Sequence, residues 1–151
     1  MTQQATHGVS LYEHVGGWEG LHALVAAWYP TVLAGPLLQP LFGAGQADHV
    51  PHLTAFLAEV FGGPTRYTDQ LGGFPALLAA HRGKQIREDQ RQRFVELFLA
   101  AADTAGLLPD RRTGDALRSY LEFGTTVAVQ NSHATTDDQL HPCQEVPHWN
   151  W

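Results

Sequence analysis

The chain has a single cysteine, Cys143, among 151 residues, so an internal disulfide is excluded and a cysteine-based zinc site nearly so. No run approaches the ~18 to 20 consecutive apolar residues of a membrane span, and the opening MTQQATHGVS lacks the basic and apolar regions of a secretory signal. A cytoplasmic protein with no membrane partner is expected. Basic residues are scarce too: 9 Lys and Arg stand against 15 Asp and Glu, a formal charge of -6, which argues against nucleic-acid binding driven by phosphate contacts. Strand-like alternation is also weak throughout. What remains is 44% apolar and 16% charged, the composition of one folded domain that can bury roughly 70% of its unfolded surface.

The apolar spacing is helical. Ser10 precedes Glu13 by three residues, the reciprocal cap that opens a helix, and Gly16-Gly17 closes it after about a turn. Leu21, Leu24, Val25, Trp28, Tyr29, Val32 and Leu33 then follow the i, i+3, i+4 rule without a gap. Pro30 interrupts the hydrogen-bond ladder of that helix beside Tyr29 and predicts a kink. GPLLQPLFGAG reads as a tight turn ending at Phe42, a helix is expected from 48 to 61, and GGPTRYTDQLGG reads as a loop. Pro75 suits the first turn of a short helix carrying His81, and longer helices are expected over 88–105 and 113–133. The chain divides into an extension (1–9), a body (10–133) and a tail (134–151) without periodicity.

Of the nine histidines, those at 7, 141 and 148 fall in the ends and read as solvated, and His14 and His22 read as surface groups. His49 and His52 lie three apart on one helix, but the local sequence offers no further ligands for a metal pair. His81 differs, because Leu77, Leu78, Ala79 and Ala80 precede it. Its imidazole is either a satisfied core histidine or the axial base of an iron porphyrin, which needs only one protein nitrogen. The basic group Arg82, Lys84, Arg87, Arg91 and Arg93 is either a solvated helix face or a partner for an anion beside His81. For haem the anions would be its propionates, with Arg66, Tyr67 and Lys84 in reach along the chain. Phe42, Leu53, Phe56 and Tyr29 could supply the opposite wall.

The segments LYEHVGG, Trp28-Tyr29, PLLQPLF, HLTAFLAEVFGGPTRYTDQ, LLAAHRGKQI and YLEFGTTVAVQNS stand in the order and at the spacings of the truncated haemoglobins, which the chain resembles over about residues 10–133. The FGGPTRYT loop is similar to group II. The resemblance implies an all-α fold, a truncated globin with a two-over-two helical sandwich around haem b. It implies that His81 is the proximal iron ligand, that Tyr29 donates to bound oxygen, and that Phe42 packs on the porphyrin. By the same match His49 holds the distal-helix position, facing the ligand or solvent. Leu53 and Phe56 continue that wall, and Tyr67 meets a propionate. Phe94 stands where group II members typically have a ligand-facing tryptophan, Ala80 where a basic residue often precedes the proximal histidine, and HRGK where His-x-Pro-Phe is usual.

The function this implies is reversible binding, or transport, of oxygen or another diatomic ligand at a five-coordinate iron kept ferrous by an unknown reductase. A haem enzyme, peroxidase or nitric oxide dioxygenase, is the alternative, and a haem-free helical interaction module is a second. Trp149 and Trp151 are large apolar groups to leave in water, so the tail is expected to dock on the body or on a second copy in a homodimer.

Overall fold

Helix boundaries follow the local signals closely in the computed structural model, which describes residues 9–140, 146–149 and 151. Ser10 Oγ accepts from the Glu13 amide while the Glu13 carboxylate accepts from the Ser10 amide, opening α1 (Leu11–His14). Helix α2 (Gly17–Ala34) continues through Pro30 and buries Leu21, Leu24, Val25, Trp28, Tyr29 and Val32, the predicted stripe. PLLQPLF is more ordered than a turn: its last four residues form α3 (Gln39–Phe42), with Pro40 in the first turn, where a missing amide costs nothing. Helix α4 (His49–Val60) follows.

The expected loop over 62–73 contains one helical turn, α5 (Arg66–Gln70). Breakers hid it from view: its support comes from Thr65 Oγ1 on Asp69 at 2.9 Å and from Thr68 on the buried Glu59 of α4. Gly63 permits the approach of α4 to α1, since a Cβ there would lie 2.7 Å from the Tyr12 ring. Helix α6 (Gly73–His81) ends on His81, and α7 (Glu88–Thr104) and α8 (Arg111–Ser132) complete the body. Asp110 caps α8 and holds His14 of α1 at 2.9 Å.

Helix α2 packs on α4 and α7, α7 packs on α8, and α8 also packs on α6. No strand occurs among the described residues. The result is the two-over-two arrangement expected, two helix pairs with α6 held against α8. No helix of the described residues is long and apolar enough to cross a membrane.

Candidate functional site

His81 closes α6, where its Nδ1–H donates to the Leu77 carbonyl one turn back at 2.8 Å. That bond fixes the tautomer and leaves Nε2, on the far edge of the ring, as a free lone pair with no partner among the described residues. Burial holds the imidazole pKa below its ordinary value, opposed by the Leu77 bond and assisted by the Lys84 charge, so the ring is neutral near pH 7. The ring lines a cavity of about 570 Å³ enclosed by α2, α4, α6, α7 and α8. Pockets of ~300–1,000 Å³ with apolar walls and few polar groups suit a cofactor.

Phe42, Leu53, Phe56, Tyr67, Lys84, Phe94, Tyr29 and His49 all reach this cavity with His81. Arg66 does not: its guanidinium lies 4.4 Å over the Trp18 ring on the surface, a cation–π contact that α2 offers nearer at hand. The basic segment is also spoken for. Arg82 pairs with Asp137, Arg87 with Asp89, Arg91 with Glu88 and Glu122, and Arg93 with Glu96. Lys84 alone of this group has no carboxylate partner among the described residues, and its Nζ rests 3.4 Å from the Leu41 carbonyl at the cavity rim.

The loop carrying Lys84 is suspended from the end of α8. The Gln85 amide donates to the Ser132 carbonyl and the Ile86 amide to Ser132 Oγ, both at 2.9 Å, and Gln85 takes a left-handed φ of 50° to do so. The segment HRGKQI thus brings Lys84 and Ile86 to the cavity.

On the α2–α4 side, the Tyr29 hydroxyl accepts from the Gln46 amide at 3.2 Å and bonds His49 Nδ1. Tyr29 is buried and His49 half-buried, their rings edge to face at 5.4 Å. The single phenolic proton has two places. Directed at Nδ1, it leaves the His49 Nε2–H spare; with Nδ1–H donating to the phenol, it leaves the Tyr29 O–H spare. Either neutral arrangement presents one donor. His52 is exposed beyond this pair, and no cluster of three or more His, Cys, Asp or Glu among the described residues could hold a metal ion.

Tyr67 is positioned by α5. Glu59 is 3% exposed, accepting from the Thr68 amide at 2.9 Å and from the Thr68 hydroxyl, and the Tyr67 ring meets Phe56 edge to face at 5.4 Å. Burial pushes the Tyr67 phenol above its usual pKa, so it stays a donor, and no described residue takes its proton.

Trp28 is a wall residue that the sequence did not single out as part of the site. It is 1% exposed, edge-on to Phe94 at 4.8 Å, and its Nε1 is a buried donor without a partner among the described residues. The indole of Trp28 thus occupies space beside Phe94, where a tryptophan is typical. Its placement one residue before Tyr29 in an apolar stripe was the available signal, but the same pattern describes any core residue.

A fold of paired helices enclosing a cavity with one free imidazole nitrogen is that of a globin. The family model of the bacterial-like globins matches residues 10–127, and the chain belongs to that family as a truncated haemoglobin. It is 32% identical over 96 residues to the group 2 truncated hemoglobin YjbI of Bacillus subtilis, spanning 64% of this chain and 71% of that protein. Among solved structures it is similar to the truncated oxygen-avid haemoglobin from Bacillus subtilis, with a TM-score of 0.72 and 29% identity over 80% of this chain and 99% of that one. The thermostable hemoglobin of Thermobifida fusca gives a TM-score of 0.71 and 29% identity over 80% and 97%. The free Nε2, the aromatic walls, and Lys84 and Tyr67 with no carboxylate partner among the described residues fit the haem that such a globin binds.

Proposed function

We propose that the chain holds haem b in this cavity through His81 and binds oxygen or a similar diatomic ligand reversibly. Haem supplies, when bound, a ferrous iron with one open position. His81 would hold the iron through Nε2, its basicity raised by the Leu77 bond. Lys84 and Tyr67 would hold the propionates, and Phe42, Leu53, Phe56 and Phe94 would keep water from the cofactor. The Tyr29–His49 pair offers one hydrogen-bond donor to a ligand that gains negative charge, which favours the occupied site over the empty one.

The observation that carries this reading is the neutral His81 ring with its Nδ1 tied and Nε2 free at the wall of a cavity of cofactor size. Titrating purified protein with hemin tests it. A sharp Soret band at one equivalent is expected, and a His81→Leu variant should give only the broad spectrum of loose hemin. An unchanged spectrum in that variant refutes the assignment. The same reading places the protein in the cytoplasm with a separate reductase. Steady-state turnover with peroxide or nitric oxide would instead favour an enzyme.

A further inference from the structure

The family match ends at residue 127, yet described residues beyond it pack on the body. Ala134 and Leu140 are each 5% exposed and Val146 is 2% exposed. The Trp149 amide donates to the Val60 carbonyl at the end of α4, at 2.7 Å. Its indole meets Tyr120 of α8 edge-on at 5.2 Å and Phe123 at 5.4 Å. Gly124 makes room for this arrangement, since a Cβ there would stand 2.8 Å from the Tyr120 hydroxyl. Trp151 donates from Nε1 to the Val9 carbonyl at 3.1 Å. Arg112 lies 4.1 Å over that indole and gives two hydrogen bonds to the Trp151 carbonyl, at 3.1 and 2.6 Å. His14 meets the same ring at 4.7 Å. Between the buried Val146 and these anchors, Pro147 lines the cavity that His81 lines.

We infer that Val146, Pro147, Trp149 and Trp151 form a strap that closes the α8 end of the haem cavity and slows loss of the cofactor, with Trp149 and Trp151 as its positioning residues. The inference rests on the reading that the cavity holds haem. Terminal segments fray unless tied down, and bound groups escape through the least stable part of a wall. The contacts to Val60 of α4, to Tyr120, Phe123 and Arg112 of α8, to His14 of α1 and to Val9 just before it remove that weakness where Pro147 meets the cavity. Both tryptophans are partly buried against the body of the same chain.

The full-length protein is loaded with hemin, and its transfer to a large excess of apomyoglobin is followed by absorbance. Trp149→Ala should release haem at least about tenfold faster, the ratio that 1.4 kcal/mol corresponds to. Trp151→Ala, which removes only the outer anchor, should release it faster by a smaller factor, and Trp149→Phe, which keeps a ring on Tyr120 and Phe123, should stay near the wild-type rate. Urea unfolding of the apoproteins separates the strap from general weakening, with Val32→Ala, in the core but off the cavity wall, as the comparison. A wild-type rate in both alanine variants overturns the strap, as does a rise no larger than that of an equally destabilised Val32→Ala protein. Wild-type protein that takes up no hemin overturns the haem reading together with the strap.

Discussion

Substituting Tyr29 and His49 singly and together should give oxygen release rates that do not multiply. One hydrogen bond joins the pair, given by the phenol or by Nδ1–H, and either way one donor is left to spare. Tyr29→Phe leaves His49 with its N–H. His49→Leu leaves Tyr29 with its O–H, since the Gln46 amide only donates to that oxygen. Each single variant therefore keeps a donor and should change release by less than about twofold, the lower edge of a hydrogen bond of ~0.5–1.5 kcal/mol. Removing both leaves none, and release should rise by roughly 2- to 13-fold over the wild type. Stopped-flow displacement of oxygen by carbon monoxide measures all four proteins, and the double-mutant cycle isolates the coupling. A double variant whose rate ratio equals the product of the single ratios would show that the two side chains do not act as a unit.

Phe94→Trp should destabilise the protein by about 1–3 kcal/mol, because Trp28 already fills the space beside residue 94. Exchanging both, Trp28→Phe with Phe94→Trp, conserves volume and should recover most of that loss in urea melts; no recovery would mean that the two rings do not compete. Thr68→Val removes one hydrogen bond to the buried Glu59 carboxylate and should cost about 1.5 kcal/mol by the same measurement. The Thr113 hydroxyl, then His14 and the Arg112 amide, hold the Asp110 carboxyl below its ordinary pKa. The unfolded chain therefore takes up this proton first, and the contribution present above about pH 4 disappears as the pH falls. Wild type and Asp110→Asn should differ near neutrality and converge in acid, and a gap that is constant with pH would refute the account.

Features encoded within one or two turns were readable from the chain. The Ser10–Glu13 cap, the α2 stripe and the helix ending at His81 all rest on neighbours three or four residues apart. Helix α5 was not, because its support is a carboxylate buried in α4. Arg66, near Tyr67 in sequence, was assigned to the cofactor on proximity alone, and Trp18 takes it. The arginines after His81 read either as a solvated face or as an anion site, and folding brings Glu122 and Asp137 to two of them. The tail has no periodicity to read, because Trp149 and Trp151 are held one at a time by separate elements distant in sequence.

The attachment of the His81 loop to Ser132 also bears on the order of events at the ribosome. Ile86 and Ser132 are 46 residues apart, so at about 5–20 residues per second the anchor is made a few seconds after the loop itself. Until then the Ser132 bonds do not hold the Lys84 loop at the cavity rim. Nascent chains should therefore emerge unloaded, and colour should develop only once translation has passed the end of the last helix.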